Sequence, residues 1–161
     1  MSALGFQDHD HHHCIEAGLR AAERVCASAG LKLTPQRRRV LEILLSEHRA
    51  MGAYDILEVL KAEGHTAQPP VAYRALDFLV AHGFAHKVER LNAFIACAHP
   101  GCDHAPAFLI CRMCKSVAET PSDYARAALA EAPGADGFVV EASSIEAVGV
   151  CPACQKDAPC P

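Results

Sequence analysis

The sequence has no long apolar run and no excess of positive charge. Hydrophobic residues make up 51% of its 161 residues, yet no stretch approaches the roughly 18 consecutive apolar residues of a membrane span, so we expect no membrane segment. The first thirty residues are acidic and rich in histidine. They have no apolar segment behind a basic start, which predicts a cytoplasmic protein without a secretory signal. With 21% charged residues, the composition is typical of a globular chain with one ordinary core or two small ones.

The net charge of -4 argues against a nucleic-acid partner, because phosphate binding depends on lysine and arginine. The distribution of charge weakens this objection. Residues 17–90 contain 11 basic and 8 acidic side chains, whereas residues 91–161 contain 4 basic and 8 acidic ones. A mildly basic segment followed by an acidic one predicts two modules with different roles.

Nine cysteines are many for a chain of this length. In a short secreted domain such a density predicts disulfides, but without a secretory signal it more often indicates thiolate ligands for a metal ion. The odd number also argues against complete pairing. We therefore expect metal binding.

The start of the chain predicts a tail followed by helices. We expect a disordered, His-rich tail over residues 1–16, although the apolar spacing typical of a first helix already covers Cys14–Ala29. A second helix opens with Thr34 as N-cap and Pro35 at the first helical position.

Two more helices and a hairpin follow. The segments AYDILEVLKAEG and PPVAYRALDFLVAHG predict a third and a fourth helix, which end at Gly64 and Gly83. The segments FAHKVER and NAFIACA alternate with a period of two and predict two paired strands. Helices followed by a hairpin predict a winged-helix DNA-binding domain over residues 17–92, whose last helix enters a DNA groove.

The second half predicts a small α/β module over residues 93–155, followed by a tail over residues 156–161. APAFLIC and SVAET indicate short strands, and SDYARAALAEA indicates a helix capped by Ser122. GFVVEASSIEAVGVC indicates one longer strand or two short ones. The fold class of the whole chain is therefore α+β.

The second module contains two C-x-x-C pairs, Cys111 with Cys114 and Cys151 with Cys154. Two intervening residues let both sulfurs converge on one ion at about 2.3 Å, and two such pairs complete the tetrahedral site that structural Zn2+ prefers. Redox-active dithiols or inert thiols are the weaker alternative, because the motif is doubled. A zinc site would also help to fold a module of roughly 65 residues, a size that often needs extra cross-links. Several further cysteines and histidines remain nearby, and spacing alone does not select among them.

The segments YRALDFLVAHGFAHKVE, CDHAPAFLICRMC and VCPAC resemble the ferric uptake regulator family of metal-dependent repressors, and specifically its zinc uptake regulator branch. TPQRRRVLEIL and AYDILEVL follow the order of the family, so the resemblance extends over residues 20–155. It implies an N-terminal winged helix and a C-terminal α/β dimerisation domain. It also implies a structural zinc on the two C-x-x-C pairs and a second, regulatory zinc at the hinge between the domains.

The resemblance implies a specific set of ligands for the regulatory zinc: His86, Cys97, His104 and Glu119. One thiolate, two neutral imidazoles and one carboxylate form a four-coordinate set whose charges cancel Zn2+. The thiolate favours zinc over Fe2+ or Mn2+. Because His86 lies on the predicted wing and His104 and Glu119 lie in the second module, a shared ion would fix the angle between the modules. We thus expect two zinc ions per chain, with His99 and Cys102 as bystanders.

The predicted DNA contacts lie on the fourth helix and its neighbours. Arg74 is expected to read a purine edge, since a guanidinium can bond guanine O6 and N7 together. The resemblance implies that Tyr73 and Tyr54 contact phosphates or thymine methyl groups. Lys32 and Arg37 are predicted to bind phosphates. The expected partner is double-stranded operator DNA.

These features predict a zinc-responsive transcriptional repressor, not an enzyme, that binds operator DNA as a homodimer and controls zinc uptake genes. One alternative is a sensor of iron, manganese or peroxide from the same family, but its expected thiol-free regulatory site is contradicted by Cys97. A thiol-disulfide enzyme would place its C-x-x-C at a helix N-terminus, where we expect neither pair. A zinc buffer or chaperone, suggested by DHDHHHC at residues 8–14, would form no sequence-specific DNA complex.

Overall fold

The computed structural model describes residues 11–47, 49–65, 68–102, 104, 106–132, 137–141 and 143–157, with the backbone alone at positions 11, 12, 14, 124, 126 and 130. These residues divide into two compact units. The first unit comprises the described residues up to Cys102, and the second unit comprises those after it. Among the described helices, none is both long enough and apolar enough to cross a bilayer.

Four helices form most of the first unit: α1 (His11–Ala29), α2 (Pro35–Ser46), α3 (Ala53–Ala62) and α4 (Pro69–Ala81). Their apolar faces meet in one core that includes Leu44, Ile56, Leu76 and Leu79, all nearly inaccessible to solvent. At Gly18 the helix α1 comes so close to α2 that an added Cβ would lie 2.8 Å from Leu45 Cδ2. Burial of these faces, rather than helix propensity, supplies most of the stability of such helices.

The predicted start of α2 is confirmed. Thr34 is the N-cap, and its Oγ1 accepts a hydrogen bond from the Arg37 N–H at 3.4 Å, while Pro35 takes the first helical position. The end of α4 is also as expected. Gly83 adopts a φ of +70°, which allows the Phe84 N–H to donate to the Leu79 carbonyl at 2.8 Å and turns the chain toward the first strand.

The wing is the antiparallel pair of β1 (Ala85–Val88) and β2 (Ala93–Ala96). A single 3-10 turn over Glu89–Leu91 joins them, and Asn92 follows it in the left-handed conformation with φ +46°. The predicted pairing of these two strands is confirmed. Four helices followed by this wing make the first unit a winged helix, and the fold class is α+β as predicted.

The second unit contains a three-stranded sheet in the order β4-β3-β5, built from β3 (Pro106–Cys111), β4 (Val117–Pro121) and β5 (Ile145–Gly149). The central strand β3 runs antiparallel to β4 and parallel to β5. The helix α5 (Asp123–Ala130) lies between β4 and β5 in the chain. Ser122 precedes α5 as predicted, although it makes no capping hydrogen bond with its side chain.

Three local expectations need correction. The helix α1 begins at His11 rather than Cys14, because a helix with one packed face gains a backbone hydrogen bond with each added residue. The segment GFVVEASSIEAVGVC forms a strand only over Ile145–Gly149 among its described residues. A short helix that the sequence analysis missed, α6 (Pro152–Asp157), follows β5. Its signal was Pro152, a residue favoured at the first position of a helix.

Candidate functional site

The sheet of the second unit brings the two C-x-x-C pairs together. Cys111 is the last residue of β3, and its register partner on the parallel strand β5 is Gly149. Each pair therefore follows the same end of a neighbouring strand, although 36 residues separate Cys114 from Cys151. Cys114 lies in the turn after β3, which is closed by the bond from the Lys115 N–H to the Cys111 carbonyl at 3.0 Å.

All four sulfur atoms of these pairs lie within 4.8 Å of one another. The Sγ atoms of Cys114 and Cys151 are 3.7 Å apart. Four sulfurs at 2.3 Å from one ion in a tetrahedron would be about 3.8 Å from each other. The cluster thus has the donor atoms and the spacing that a tetrahedral zinc ion requires.

Backbone amides already support negative charge on one of the sulfurs. The N–H of Cys114 and that of Cys151 donate to Cys111 Sγ, which lowers the pKa of Cys111 from 9.0 to about 6. The second of these bonds measures 3.4 Å. Burial opposes this effect but is the smaller influence. At neutral pH the Cys111 sulfur is therefore a thiolate, the form that binds metal ions.

The neighbouring sulfurs raise the pKa of Cys154, whereas the backbone amides lower that of Cys111. Hydrogen bonding with the thiols of Cys151 and Cys114, together with burial, raises the pKa of Cys154 from 9.0 to about 12. Four sulfurs this close cannot all be ionised without a cation among them, since like charges at this distance repel. A divalent ion would remove that repulsion and allow all four to bind as thiolates.

One expectation about the second pair is wrong. Cys151 immediately precedes α6 and Cys154 lies in its first turn, so this C-x-x-C does sit at a helix N-terminus. That position alone would also suit a redox-active pair. None of the cysteines whose side chains are described forms a disulfide, and the second pair adjoining the first distinguishes this cluster from an isolated dithiol.

A second group of predicted ligands lies on the wing of the first unit. His86 faces Ile95 across the hairpin, and Cys97 comes two residues after Ile95, so both side chains lie on the same face. The Cys97 N–H donates to the Phe84 carbonyl at 3.0 Å, which extends the pairing to this position. The ligand atoms of His86 and Cys97 come within 4.8 Å of each other.

The other two predicted ligands meet within the second unit. His104 Nε2 lies 2.7 Å from Glu119 Oε1. The Glu119 side chain is only 5% exposed and that of His104 is 19% exposed. Glu119 is fixed by its place on β4, opposite Phe108 of β3. The sequence had no local signal for this pair, because its members are fifteen positions apart.

The predicted DNA contacts Tyr73 and Arg74 are exposed on α4, whereas their neighbour Ala72 is fully buried. Tyr54, at the start of α3, is 70% exposed. Tyr54 and Tyr73 line one open groove together with Lys87 of the wing. Three of the residues predicted to contact DNA are thus exposed on α3 and α4 of the first unit: Tyr54, Tyr73 and Arg74.

The two predicted phosphate contacts differ in their surroundings. Lys32 is exposed. Arg37 is half-buried, its guanidinium lies 3.7 Å from the centre of the Phe78 ring, and its Nη1 donates to the Lys32 carbonyl at 2.6 Å. The neighbouring arginines form ion pairs: Arg38 with Glu23 and Glu42, and Arg39 with Glu42 and Glu63. Arg37 therefore has a role within the fold, and its contact with phosphate stays a prediction.

His99 and Cys102, the expected bystanders, are both exposed in the turn after β2. Neither belongs to the cysteine cluster of the second unit. The backbone of His99 nevertheless has a role that the sequence analysis missed, because its N–H donates to Cys97 Sγ at 3.3 Å. Cys26 is buried in the core of the first unit, and burial raises its pKa.

Comparison with known proteins decides the family. The model of the Ferric uptake regulator family matches residues 28–148. The chain belongs to the ferric uptake regulator family. The predicted membership is confirmed, and the family is one of transcriptional regulators.

Relatives of this family member include proteins named for zinc. It is 37% identical over 143 residues to the zinc uptake regulation protein of Escherichia coli (strain K12), an alignment that covers 88% of this chain and 84% of the relative. A solved structure of a zinc uptake regulator complexed with zinc and DNA is 36% identical, with a TM-score of 0.84 over 89% of this chain and 96% of that one. The structure of holo XcZur is 39% identical, with a TM-score of 0.79 over 87% and 98% of the two chains.

Proposed function

We propose that this protein is a zinc-responsive transcriptional repressor that binds double-stranded operator DNA as a homodimer and controls zinc uptake genes. The observation that carries the proposal is the thiol of Cys97 beside His86 on the wing of a winged helix. A sulfur ligand favours zinc over the iron or manganese sensed elsewhere in such a family. Relatives named as zinc uptake regulators, at 36% to 39% identity, support the same choice of metal.

The structural zinc would be held by Cys111, Cys114, Cys151 and Cys154. The close spacing of their sulfurs supports this assignment, as do the amide hydrogen bonds to Cys111. Bound there, zinc would link the ends of β3 and β5 and add its binding free energy to the folding of a small unit.

The regulatory zinc would be held by His86, Cys97, His104 and Glu119. Each unit supplies two of these ligands as a preformed pair, and the set carries two negative charges that balance one Zn2+. A zinc ion shared by both pairs supplies a link between the units, and it can favour a DNA-competent arrangement only by binding that arrangement more tightly. Together with the structural site, this gives two zinc ions per chain.

Contacts with DNA would come from α4 and the elements beside it. Arg74 is free to approach base edges, because it is exposed on a helix whose opposite face is buried. Tyr73 and Tyr54, which line one groove, would contact phosphates or thymine methyl groups. Lys32 and Arg37 would bind phosphates and set the position of the helix in the groove.

A homodimer is supported by the exposed apolar side chains of the second unit. Leu129, Phe138 and Val139 are 48%, 73% and 77% exposed, which is costly for an isolated unit and is typical of a surface that meets a partner. Two winged helices in one dimer would match two half-sites of an operator. We expect the protein in the compartment that holds the chromosome, the cytoplasm, and we expect no catalytic activity.

Zinc content and DNA binding measured together test the proposal. The probe is a DNA fragment selected by the zinc-loaded protein from a random-sequence library. We expect two zinc ions per chain, one of them resistant to chelators, and a mobility shift that requires the second. His86→Ala should keep the dimer, lose one of the two ions and bind the fragment at least about tenfold more weakly.

His65→Ala is the matched control, since His65 is an exposed histidine of the same unit, and it should behave as the wild type. One zinc ion per wild-type chain would exclude the regulatory site. Unchanged zinc-dependent binding by His86→Ala would remove His86 from it. Failure to select any DNA sequence would indicate a zinc buffer instead.

A further inference from the structure

The turn that follows β2 donates a backbone hydrogen bond to the sulfur of Cys97. Cys97 Sγ accepts the His99 N–H at 3.3 Å, and the Cys102 N–H donates to the His99 carbonyl at 3.3 Å. The first bond places a backbone donor on the sulfur that would bind the regulatory zinc. Hydrogen bonds to a ligand atom orient it and favour its charged form.

This turn passes close to α1 at Gly101. Gly101 has a φ of +86°, and a Cβ built on it would lie only 2.8 Å from Val25 Cγ2. Val25 is β-branched and half-buried on α1, so its side chain has little freedom to move aside. Any residue larger than glycine would push the turn away from α1.

This contact distinguishes Gly101 from other glycines with a positive φ. Gly30, Gly64 and Gly83 have φ values of +65°, +82° and +70°, yet a Cβ on any of them would meet no atom of the described residues within 4 Å. Those three serve the backbone conformation alone. At Gly101 both the conformation and the close approach to Val25 require glycine.

We propose that Val25 and Gly101 are positioning residues for the regulatory zinc: their contact holds the turn so that the His99 N–H stays on Cys97 Sγ. The inference rests on the proposed function, because it assumes that Cys97 binds zinc. The helix α1, which contains none of the four proposed ligands, would thereby raise the affinity of the regulatory site. Mutation of residues that orient a metal ligand without binding the metal themselves typically lowers metal affinity by about 10- to 100-fold.

The test is the zinc affinity of the second site, measured by competition with a chelator in protein whose structural site is already filled. Gly101→Ala should weaken this site at least about tenfold. Gly30→Ala suffers the same backbone strain without the contact, so it should keep the wild-type affinity. Val25→Ala/Gly101→Ala, which makes room for the added methyl group, should recover part of the loss.

A spectroscopic measurement separates positioning from general damage. With Co2+ in the second site, the sulfur-to-metal charge-transfer band reports the Cys97 bond, and Gly101→Ala should shift or weaken this band while Gly30→Ala leaves it unchanged. If Gly101→Ala does not fold, Val25→Ala replaces it, since it removes the contact without backbone strain and should also weaken the site.

Equal affinities for Gly101→Ala and wild type, or equal losses for Gly101→Ala and Gly30→Ala, would overturn the inference. So would a double variant as weak as Gly101→Ala, or wild-type affinity in Val25→Ala where that variant serves as the test. Failure of the proposed function looks different, because the wild-type chain itself would then bind only one zinc ion.

Discussion

On α4, the residues that pack in the core are different from the residues that are predicted to contact DNA. Ala72, Ala75 and Leu76 are buried in the core of the first unit, while Tyr73 and Arg74 between them are exposed. This alternation follows from the helical period, which turns consecutive residues by about 100°. We therefore expect substitutions at Arg74 to change DNA binding without disturbing the fold.

We predict that Arg74→Ala weakens binding to the selected DNA fragment by about 1–3 kcal/mol and relaxes the preference at one base position, because a bidentate contact with a base edge is lost. Lys32→Ala should weaken binding equally across sequences and reduce the slope of log affinity against log salt by about 1. Competition assays over a range of salt concentrations distinguish these outcomes. Uniform weakening by Arg74→Ala would assign Arg74 to phosphate instead.

Zinc uptake by the cysteine cluster should release protons. Because the pKa of Cys111 is lowered to about 6 and that of Cys154 is raised to about 12, Cys111 is a thiolate and Cys154 a thiol between these pH values. Zinc must displace at least the Cys154 proton. We therefore predict that zinc affinity rises with pH in this window, about tenfold per pH unit for each proton released.

Calorimetry in buffers of different ionisation enthalpy counts the protons. Cys102→Ser, which alters an exposed cysteine outside the cluster, should release the same number as the wild type. A zinc affinity independent of pH between 7 and 9 would contradict the assignment of these pKa values.

At the scale of elements, Arg37 joins the start of α2 to α4. Its guanidinium stacks on Phe78 of α4 and bonds the carbonyl of Lys32, just before α2. The Phe78 ring also lies 4.5 Å from His82. The predicted recognition helix is thus held in part by a residue that is itself predicted to bind phosphate.

We predict that Arg37→Ala lowers the free energy of unfolding by about 1 kcal/mol, because a cation–π contact and a hydrogen bond are lost. Arg20→Ala removes an arginine whose ion pair with Glu16 is exposed, and it should change stability by less than about 0.5 kcal/mol. Urea unfolding at saturating zinc measures both. Arg37→Ala should also reduce the salt slope of DNA binding if Arg37 contacts phosphate, and leave the slope unchanged if its role is confined to the fold.

At the scale of the whole molecule, the two units depend on different sources of stability. The first unit has a large apolar core formed by its own helices. Among the described residues, the second unit has fewer buried side chains, which include Phe108, Ile110 and Val117, and its β3 and β5 end at the cysteine cluster. Small units with little core commonly need a metal ion to fold.

Removal of the structural zinc should therefore act on one unit. We predict that Cys114→Ser, or prolonged chelation, unfolds the second unit and dissociates the dimer while the helices of the first unit persist. Circular dichroism and light scattering together measure this outcome. Cys102→Ser is the control and should remain a folded dimer. Loss of all helical signal on chelation would show that the units do not fold independently.

Much of the fold and several candidate ligands could be predicted from the sequence because the signals are local. The apolar period of α2 to α4, the cap at Thr34 and the glycines that follow α3 and α4 involve residues a few positions apart. Spacing likewise selected the two C-x-x-C pairs. The segments that resemble the ferric uptake regulator family identified both the family and the fold class, and both predictions are confirmed.

Tertiary structure decided what depends on distant parts of the chain. The pairing of β3 with β5 brings Cys111 and Cys151 together across 39 intervening residues, and the pairing of β3 with β4 sets Glu119 where His104 can reach it. The contact between Gly101 and Val25 belongs to the same class. Such contacts depend on strand register and helix packing. A local sequence pattern is compatible with many registers and packings, so only the folded chain shows which distant residues meet.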